Sequence, residues 1–267
     1  MPLRHPGLRT LACVLVAAFA LGAQAQDGVD VPFITTPDNV TLEMLEAAKV
    51  AAGDHVIDLG SGDGRIVITA ARRFGATGLG VELVPDLVSR SLANARIAGV
   101  ADRVEFRVQD LFQTDLSAAT VITMYLLPEV NLRLRPELLK LKPGTRIVSH
   151  DWDMGDWQPD RTKVVAVPDK KVGLEKSSKV HLWVVPARIG GLWCDANRTA
   201  LDLSQQYQHV KATLGGRALE GRLDGATLRT AEFVAQAAGD ALRVVSASGA
   251  SATLQGRALT RASGGRC

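Results

Sequence analysis

The sequence predicts an α/β fold, in which a seven-stranded, mostly parallel sheet with helices on both faces precedes a small antiparallel β domain. From residue 36 to 185, short apolar runs alternate with segments whose apolar residues recur at helical spacing, as a parallel sheet with crossover helices requires. After Pro186 the apolar residues alternate with polar ones between glycine-containing turns, which is typical of antiparallel strands. A chain of 267 residues can accommodate both parts.

The elements of the α/β part are assigned from apolar runs and from the residues that flank them. Thr36 is expected to cap the first helix and Pro37 to open it, and Gly53 ends that helical pattern. The strands are predicted at residues 56–59, 78–82, 104–108, 121–125, 146–149, 164–167 and 181–185. The later helices are predicted at residues 66–74, 87–97 and 132–141. The last two strands are too close for a long crossover helix, so they should pair antiparallel at the sheet edge.

The remaining segment, residues 187–267, has the pattern of short strands joined by tight turns. Apolar and polar residues alternate around Leu201, Leu228 and Leu242. Glycine turn signals recur at hairpin-like intervals, at Gly215, Gly225, Gly239 and Gly249. We therefore expect a small antiparallel β domain, with a partial barrel as one arrangement.

Residues 1–25 have the pattern of a secretory signal peptide. Arg4 and Arg9 precede an apolar run at residues 11–21, and Ala23-Gln24-Ala25 provides a cleavage site. The apolar run is short for a membrane span. We expect an exported, periplasmic protein with no stable membrane span after cleavage. The alternative is an uncleaved segment that anchors the chain to the inner membrane.

Two cysteines, Cys194 and Cys267, follow the predicted cleavage site. An oxidising compartment would allow them to form a disulfide. A disulfide also requires that the two Cα atoms come within about 7 Å, which sequence spacing does not establish. Cys267 could equally be a free thiol at the end of the chain, so both arrangements stay open at this point.

The first predicted strand runs into a glycine loop, VIDLGSGDGR, at residues 56–65. A dinucleotide fingerprint, G-x-G-x-x-G, would need glycine at the position of Arg65. Asp58 and Asp63 also bring carboxylates to a place where a pyrophosphate needs N–H donors and positive potential. The loop therefore predicts a cationic nucleoside cofactor without phosphates. S-adenosyl-L-methionine, which carries a sulfonium and an ammonium, fits this description.

Three acids lie at the carboxyl ends of neighbouring predicted strands, where open α/β sheets bind ligands. Asp58 is expected to hold the ammonium of the donor, Glu82 its ribose hydroxyls and Asp110 its adenine amino group. Gly60 and Gly62 would let the backbone approach the cofactor closely. Taken singly, Glu82 could be a surface acid and Asp110 a helix cap. Their order and spacing favour the cofactor site.

Several motifs resemble the seven-β-strand class I protein-lysine methyltransferases, namely VIDLGSGDGR, GVEL, VEFRVQDLF, YLLPEVNL, SHDWDMGDW and, upstream, PFITTP. The similarity covers residues 32–186. It points to the branch that acts on the ATP-synthase c-subunit and the adenine nucleotide translocase, and to its archaeal relatives. It implies a Rossmann-like domain over residues 26–186 that transfers a methyl group from S-adenosyl-L-methionine to a lysine side chain of a protein substrate.

The resemblance also implies roles for individual residues. Thr36 and Pro37 would lie near the donor, with Asp58, Gly60, Gly62, Glu82 and Asp110 as its other contacts. Tyr125, after the fourth strand, would line the methyl-transfer channel as a catalytic residue; a core aromatic is the alternative. Many amino methyltransferases carry Asn- or Asp-Pro-Pro-aromatic where this chain has Tyr125-Leu-Leu-Pro128. A DNA-adenine or glutamine methyltransferase is therefore not expected.

A polar cluster follows the fifth predicted strand, where His150, Asp151 and Asp153 flank Trp152. We expect this cluster to form the acceptor-side rim of the site, with Asp151 as a catalytic residue; a structural turn is the alternative. Histidine and carboxylates can also bind a metal. The spacing fits no strong metal template and methyl transfer needs no metal, so no metal site is predicted.

Two other functions are compatible with parts of the sequence. Because the donor is made in the cytoplasm, an exported chain could be a non-catalytic envelope protein, ligand-binding or structural, on a methyltransferase scaffold. An NAD-dependent oxidoreductase is disfavoured by Asp58 and Arg65. A net charge of +3 and an aromatic content of 4% give no support for a nucleic-acid partner.

Overall fold

The computed structural model describes Met1 and residues 33–267, except residues 172, 174 and 264. The predicted signal-peptide cleavage site lies outside the described residues. The helices of the α/β part are α1 Asp38–Ala47, α2 Arg65–Phe74, α3 Pro85–Ile97 and α4 Pro128–Leu138. Its strands are β1 His55–Leu59, β2 Thr77–Glu82, β3 Val104–Val108, β4 Val121–Met124, β5 Arg146–His150, β6 Arg161–Ala166 and β7 Ser177–Val184. None of the helices in this described part is long and apolar enough to cross a bilayer.

These strands form one seven-stranded sheet in the order β3-β2-β1-β4-β5-β7-β6. Neighbouring strands among β1 to β5 are parallel, whereas β7 runs antiparallel to both β5 and β6. The predicted α/β fold and its antiparallel edge pair are confirmed. The chain moves outward from β1 to β3 and then returns to β4 on the other side of β1. The carboxyl ends of β1 and β4 therefore flank the crevice where doubly wound sheets bind ligands.

Successive residues of a strand point to opposite faces of the sheet, and helices cover both faces, so both are buried. On one face, Leu134 of α4 packs in the same cluster as Ile122 of β4. On the other, Met44 of α1 packs in the same cluster as Val121 of β4. Residues adjacent in β4 thus belong to different halves of the core, which fixes the register of the strands that carry the site.

Several boundaries differ from the prediction. Helix α3 and strands β6 and β7 begin two to four residues earlier than predicted, at Pro85, Arg161 and Ser177, and helices α1 and α4 differ for identifiable reasons. Helix α1 begins at Asp38 rather than at Pro37, and no side chain caps it. The expected Thr36 cap is wrong because its hydroxyl bonds to a distant residue, as described below. Helix α4 spans Pro128–Leu138 instead of residues 132–141. Proline lacks an N–H and has a helical φ, so Pro128 suits the first turn, which apolar spacing alone did not indicate.

The C-terminal strands form a closed antiparallel barrel in the order β10-β11-β12-β13-β14-β15-β8-β9. They are β8 Gly191–Cys194, β9 Ala200–Gln206, β10 His209–Leu214, β11 Arg217–Asp224, β12 Thr227–Thr230, β13 Phe233–Ala238, β14 Ala241–Ala247 and β15 Ala258–Arg261. Pairing of β15 with β8 closes the barrel, so it is complete rather than partial. Trp193 and Phe233 lie in its core. Cys194 and Cys267 form a disulfide, which ties the end of the chain to β8.

Candidate active site

The predicted site residues come from four strands that end at the same edge of the sheet. Asp58 is in β1, Glu82 ends β2, Tyr125 follows β4 and Asp151 follows β5. The first three of these strands are parallel neighbours around the point where the strand order reverses. The topology therefore places the candidate cofactor acids and the candidate acceptor residues on one crevice.

The glycine loop needs glycine for two separate reasons. Gly60, Gly62 and Gly64 all have positive φ, at 76°, 55° and 80°. This left-handed conformation is unfavourable for residues with a side chain. A Cβ on Gly60 would also lie 2.9 Å from Leu126 Cδ2, and one on Gly62 would lie 2.6 Å from Phe33 Cε2. The loop thus requires glycine both for its backbone shape and for its close packing against neighbouring side chains.

Asp58 is a buried carboxyl whose charge no described cation balances. Its side chain is only 2% exposed, and its Oδ1 accepts a hydrogen bond from Thr123 Oγ1 at 2.7 Å. Burial, together with the nearby charges of Glu82 and Asp63, raises the pKa of Asp58 to about 7, although the Thr123 bond opposes the shift. A ligand cation beside Asp58 would favour its ionised form, which is the property expected of an ammonium site.

Glu82 is held by backbone donors from two segments. Its Oε2 accepts from Gly62 N at 3.0 Å, and its Oε1 accepts from Leu83 N and Val84 N at 2.8 and 3.1 Å. These bonds fix the carboxylate at the end of β2, next to the glycine loop. A carboxylate oxygen has two lone pairs, so Glu82 keeps acceptor capacity for the ribose hydroxyls of the predicted donor.

Asp110 follows β3 and caps a short 3-10 helix, Leu111–Gln113. Its Oδ1 accepts from Phe112 N at 2.9 Å, and Gln113 Nε2 donates to its Oδ2 at 3.3 Å. The cap that the sequence offered as the alternative is therefore present. The cap and an adenine contact are compatible, because the carboxylate retains free lone pairs. The adenine contact stays a prediction.

Asp63 and Arg65 neutralise each other within the loop. Arg65 donates from Nε to Asp63 Oδ1 at 2.9 Å and from Nη2 to Asp63 Oδ2 at 2.7 Å. Burial disfavours the ionised Asp63, but these bonds outweigh it and lower its pKa. Asp63 consequently adds less free negative charge to the crevice than the sequence suggested. Asp58 and Glu82 carry that role.

Arg65 also holds the segment before α1, which we call the N-terminal strap (residues 33–38). Its Nη1 donates to the carbonyl of Thr36 at 2.9 Å. The ring of Phe33 packs on Gly62 at the other end of the strap. The strap therefore crosses the glycine loop, as the predicted proximity of Thr36 and Pro37 to the cofactor requires. The arginine in place of a third glycine was visible in the sequence, but its partner was not.

The Thr36 side chain reaches the other side of the crevice. Its Oγ1 shares a hydrogen bond with His150 Nδ1 at 3.2 Å, while His150 Nε2 bonds to Ser178 Oγ at 2.8 Å. His150 is 1% exposed, and burial lowers its pKa well below the usual value. A neutral imidazole donates one bond and accepts the other, and a hydroxyl can take either part. His150 thus links the strap to β5 and β7 as a neutral residue.

The ring of Tyr125 packs against this same histidine in a tilted arrangement. The ring centroids of Tyr125 and His150 are 3.8 Å apart, with an angle of 31° between the planes. Tyr125 is half-buried, and burial followed by the charge of Asp151 raises its pKa, so it is a neutral phenol. The His150 side chain therefore contacts both Tyr125, the predicted channel residue, and Thr36, which is predicted to lie near the donor.

Asp151 does not present a free carboxylate. Lys170 Nζ donates to its Oδ2 at 2.8 Å, and Lys179 N donates to its Oδ1 at 2.8 Å. Burial disfavours its charge, but the bonds from Lys170 and Lys179 N outweigh burial and lower its pKa. Its φ of 63° is left-handed, and the pairing with β7 holds it there. Its catalytic role stays a prediction, and Lys170 is a neighbour that sequence spacing did not indicate.

The residues present fit a cationic donor without phosphates. Asp58 is buried with no salt bridge among the described residues, while Glu82 is already aligned by backbone N–H groups. Arg65, the cation of the loop, is occupied by Asp63 and the strap. The crevice therefore favours an ammonium over a pyrophosphate.

Comparison with known proteins decides the family. Residues 58–161 match the model of the ANTKMT methyltransferase domain. Over 157 residues the chain is 43% identical to a protein-lysine N-methyltransferase of Saccharolobus islandicus (strain REY15A), covering 58% of this chain and 94% of that protein. The chain belongs to this methyltransferase family. Its membership confirms the resemblance read from the motifs.

Other members of this methyltransferase family and one solved structure agree. The human lysine N-methyltransferase of the ATP synthase c-subunit is 30% identical over 152 residues, which cover 57% of this chain and 64% of the human protein. A crystal structure of an RNA methyltransferase from Salinibacter ruber, in complex with S-adenosyl-L-homocysteine, superposes with a TM-score of 0.52. The two chains are 54% identical, and the alignment covers 58% of this chain and 96% of the Salinibacter ruber chain. The chain is thus an S-adenosylmethionine-dependent methyltransferase by family and by fold.

Proposed function

We propose that this chain transfers a methyl group from S-adenosyl-L-methionine to the side-chain amine of a lysine in a protein. The observation that carries the proposal is the 43% identity to an archaeal protein-lysine N-methyltransferase over 94% of that protein's length. The glycine loop and the candidate site residues fall in the same α/β part. The curated relatives named as lysine methyltransferases therefore share with this chain the part that would perform the chemistry.

Asp58 would hold the ammonium of the donor, and Glu82 would accept from its ribose hydroxyls. The bound donor supplies an activated methyl group on a sulfonium, so the protein must mainly align the acceptor amine. Such alignment can lower the barrier to reaction by about 7–11 kcal/mol, the range found for well-oriented intramolecular reactions. Tyr125, packed on His150, would form the wall along which the amine approaches.

The acceptor amine must be neutral before it can attack the methyl group. A lysine in water is protonated near pH 7. Transfer into a poorly solvated channel penalises the ammonium and lowers the lysine pKa. The half-buried Tyr125 and the buried His150, both neutral, would create such an environment without a buried base.

The direct test is incubation of the purified protein with isotopically labelled S-adenosyl-L-methionine and a lysine-rich polypeptide, followed by mass spectrometry. Methyl-lysine should form with the wild type and with Asp86→Asn, which removes an exposed acid of α3. It should be strongly reduced with Asp58→Asn. Donor binding without methylation of any lysine in polypeptides or host extract would contradict the proposal.

RNA is a second candidate acceptor, because the Salinibacter ruber relative is an RNA methyltransferase at 54% identity. A net charge of +3 and 4% aromatic residues give weak support for RNA binding. Adding total RNA to the same reaction separates the candidates. Label in nucleosides, with none in lysine, would favour RNA.

We further propose that the protein is exported, from its signal-peptide pattern. The disulfide between Cys194 and Cys267 supports this location, since disulfides persist in oxidising compartments. Fractionation of the native host, with N-terminal sequencing of the mature chain, tests the proposal. A chain that starts at residue 26 in the periplasm is the expected result. A reduced, uncleaved chain in the cytoplasm would contradict it.

A further inference from the structure

The barrel contacts the loop that follows β5. We call residues 151–160 the acceptor-side loop, because it begins at Asp151 and carries the 44% exposed Trp152 at the rim of the crevice. The loop then passes away from the rim to Trp157, which is fully buried. The family match ends at residue 161, so the barrel strands lie outside the matched segment.

The turn between β9 and β10 provides most of the contacts. Trp157 Nε1 donates to Gln208 Oε1 at 3.0 Å, and Gln208 Nε2 donates to the carbonyl of Gln158 at 2.7 Å. Gln208 is 1% exposed, and its bond with Trp157 is buried, whereas its bond with the exposed Gln158 is only partly buried. A single barrel side chain therefore satisfies a donor and an acceptor of the loop, and loss of the glutamine would leave the buried Trp157 N–H without this partner.

Tyr207 adds a second set of contacts from the same turn. Its ring stacks on Trp157, with centroids 5.9 Å apart and an angle of 18°. Its hydroxyl donates to Asp156 Oδ2 at 2.9 Å. Arg222, on β11, donates to Asp160 Oδ1 at 2.6 Å. The barrel thus contacts the second half of the loop at several residues. The α/β part contacts two of the same residues, because Arg135 of α4 pairs with Asp156 and Val184 N donates to Asp160 Oδ2 at 2.8 Å.

The α/β part also holds the loop, both at its start and at Trp157. Asn131 of α4 donates to the carbonyls of Trp152 and Asp153, each at 3.2 Å. Trp183 Nε1 donates to the carbonyl of Trp157 at 2.8 Å. The loop therefore lies between the α/β part and the barrel. Asp151 and Trp152 stand at the end that the α/β part holds, and the barrel contacts begin at Asp156.

We propose that the barrel serves as a positioning domain for the acceptor, with Gln208 and Tyr207 holding the acceptor-side loop at the rim of the crevice. The proposal rests on the proposed function in one respect, which is that the acceptor enters beside this loop. Neither residue touches the donor crevice directly. Their loss should therefore affect use of the acceptor and leave the donor site intact.

The test compares Gln208→Leu with Gln206→Leu, an exposed glutamine at the end of β9. For Gln208→Leu we expect kcat/KM for poly-L-lysine to fall about tenfold, as for loss of a buried hydrogen-bond pair. We expect an unchanged Kd for S-adenosyl-L-methionine by calorimetry, and faster hydrogen exchange across residues 151–160. Gln206→Leu should match the wild type in all three measurements.

Tyr207→Phe is the milder variant, should Gln208→Leu fail to fold. It removes one hydroxyl and keeps the ring, and kcat/KM should fall about threefold, as for one partly exposed hydrogen bond. Unchanged acceptor kinetics and loop exchange in the folded variants would overturn the inference. A proportional loss of donor affinity would also overturn it, since that indicates general destabilisation. If the wild type does not methylate poly-L-lysine, the host extract of the methylation test replaces it as the acceptor in the same comparison of variants.

Discussion

Replacing Asp58 by asparagine should stabilise the donor-free protein at alkaline pH while weakening donor binding. The substitution preserves the shape of the side chain and keeps an oxygen to accept from Thr123 Oγ1. It removes a negative charge that is buried without a described cation. One variant therefore separates the cost of this charge to folding from its value in binding.

The size of the effect follows from the pKa of Asp58, which burial raises from 3.8 to about 7. Since one pKa unit corresponds to about 1.36 kcal/mol, the ionised carboxylate destabilises the folded state by about 4 kcal/mol relative to the protonated one. The folded state binds this proton more tightly than the unfolded state. The free energy of unfolding therefore falls as the pH rises from about 4 to about 7 and levels off above that range.

The assay is denaturant unfolding of the wild type and of Asp58→Asn at a series of pH values from 4.5 to 8.5, a window of about 4 pH units chosen to bracket the titration. The difference between the two curves cancels the titration of groups that do not interact with Asp58. We expect the variant to be the more stable protein at alkaline pH, with the advantage shrinking as the pH falls. Calorimetry should show donor affinity lowered by about tenfold or more, as for a lost charge-assisted hydrogen bond.

Two results would refute this reasoning. Parallel curves for the two proteins would show that Asp58 titrates normally in the folded state. Unchanged donor affinity in the variant would show that Asp58 does not hold the ammonium, whatever its effect on stability. Asp102→Asn, an exposed acid in the turn before β3, is the control and should change neither measurement.

Three further outcomes are expected. Thr36→Val and His150→Phe should each weaken donor binding, measured by calorimetry, by about threefold or more, because each removes the hydrogen bond between these two residues. The double variant should bind no more weakly than His150→Phe alone, and additive losses would contradict the coupling of the two residues. Thr35→Val, at an exposed position, should have no effect. Arg65→Met should release the strap, which would appear as faster hydrogen exchange of residues 33–38; unchanged exchange would show that the arginine does not hold it. The disulfide joins cysteines with a sequence separation of 73, so reducing it should lower the free energy of unfolding of the barrel by about 4 kcal/mol, measured by denaturant titration. Identical unfolding transitions with and without reductant would contradict the pairing of Cys194 with Cys267.

The α/β part was predictable because its signals are local. Parallel strands buried on both faces give continuous apolar runs, and glycines such as Gly75 and Gly99 end the helices between them. Barrel closure was not predictable in this way. Closure depends on pairing between residues such as Thr260 and Cys194, which lie far apart in the sequence. The alternation of apolar and polar residues within a strand does not reveal closure, because it is the same in an open sheet.

The candidate site was partly predictable for the same reason. Asp58 and Glu82 stand at strand ends, and the fold brings strand ends together without further information. The partners of Asp151 could not be found from spacing, because Lys170 comes from the connection between β6 and β7. The bond between Thr36 and His150 joins residues 114 positions apart. Such contacts depend on the packed structure rather than on any local pattern.

The two sides of the crevice differ in how their charges are satisfied. On the acceptor side, Asp151 is paired with Lys170, and the acceptor-side loop is bonded at both ends. On the donor side, Asp58 is left without a described cation, at a cost to folding. The ionised Asp58 is unfavourable in the free protein and favourable beside a ligand ammonium. Binding of the ammonium therefore removes the cost of the buried charge, and this strengthens binding of the donor. A donor that supplies the missing cation would therefore complete the site, while the proposed acceptor would meet a surface whose geometry is already set.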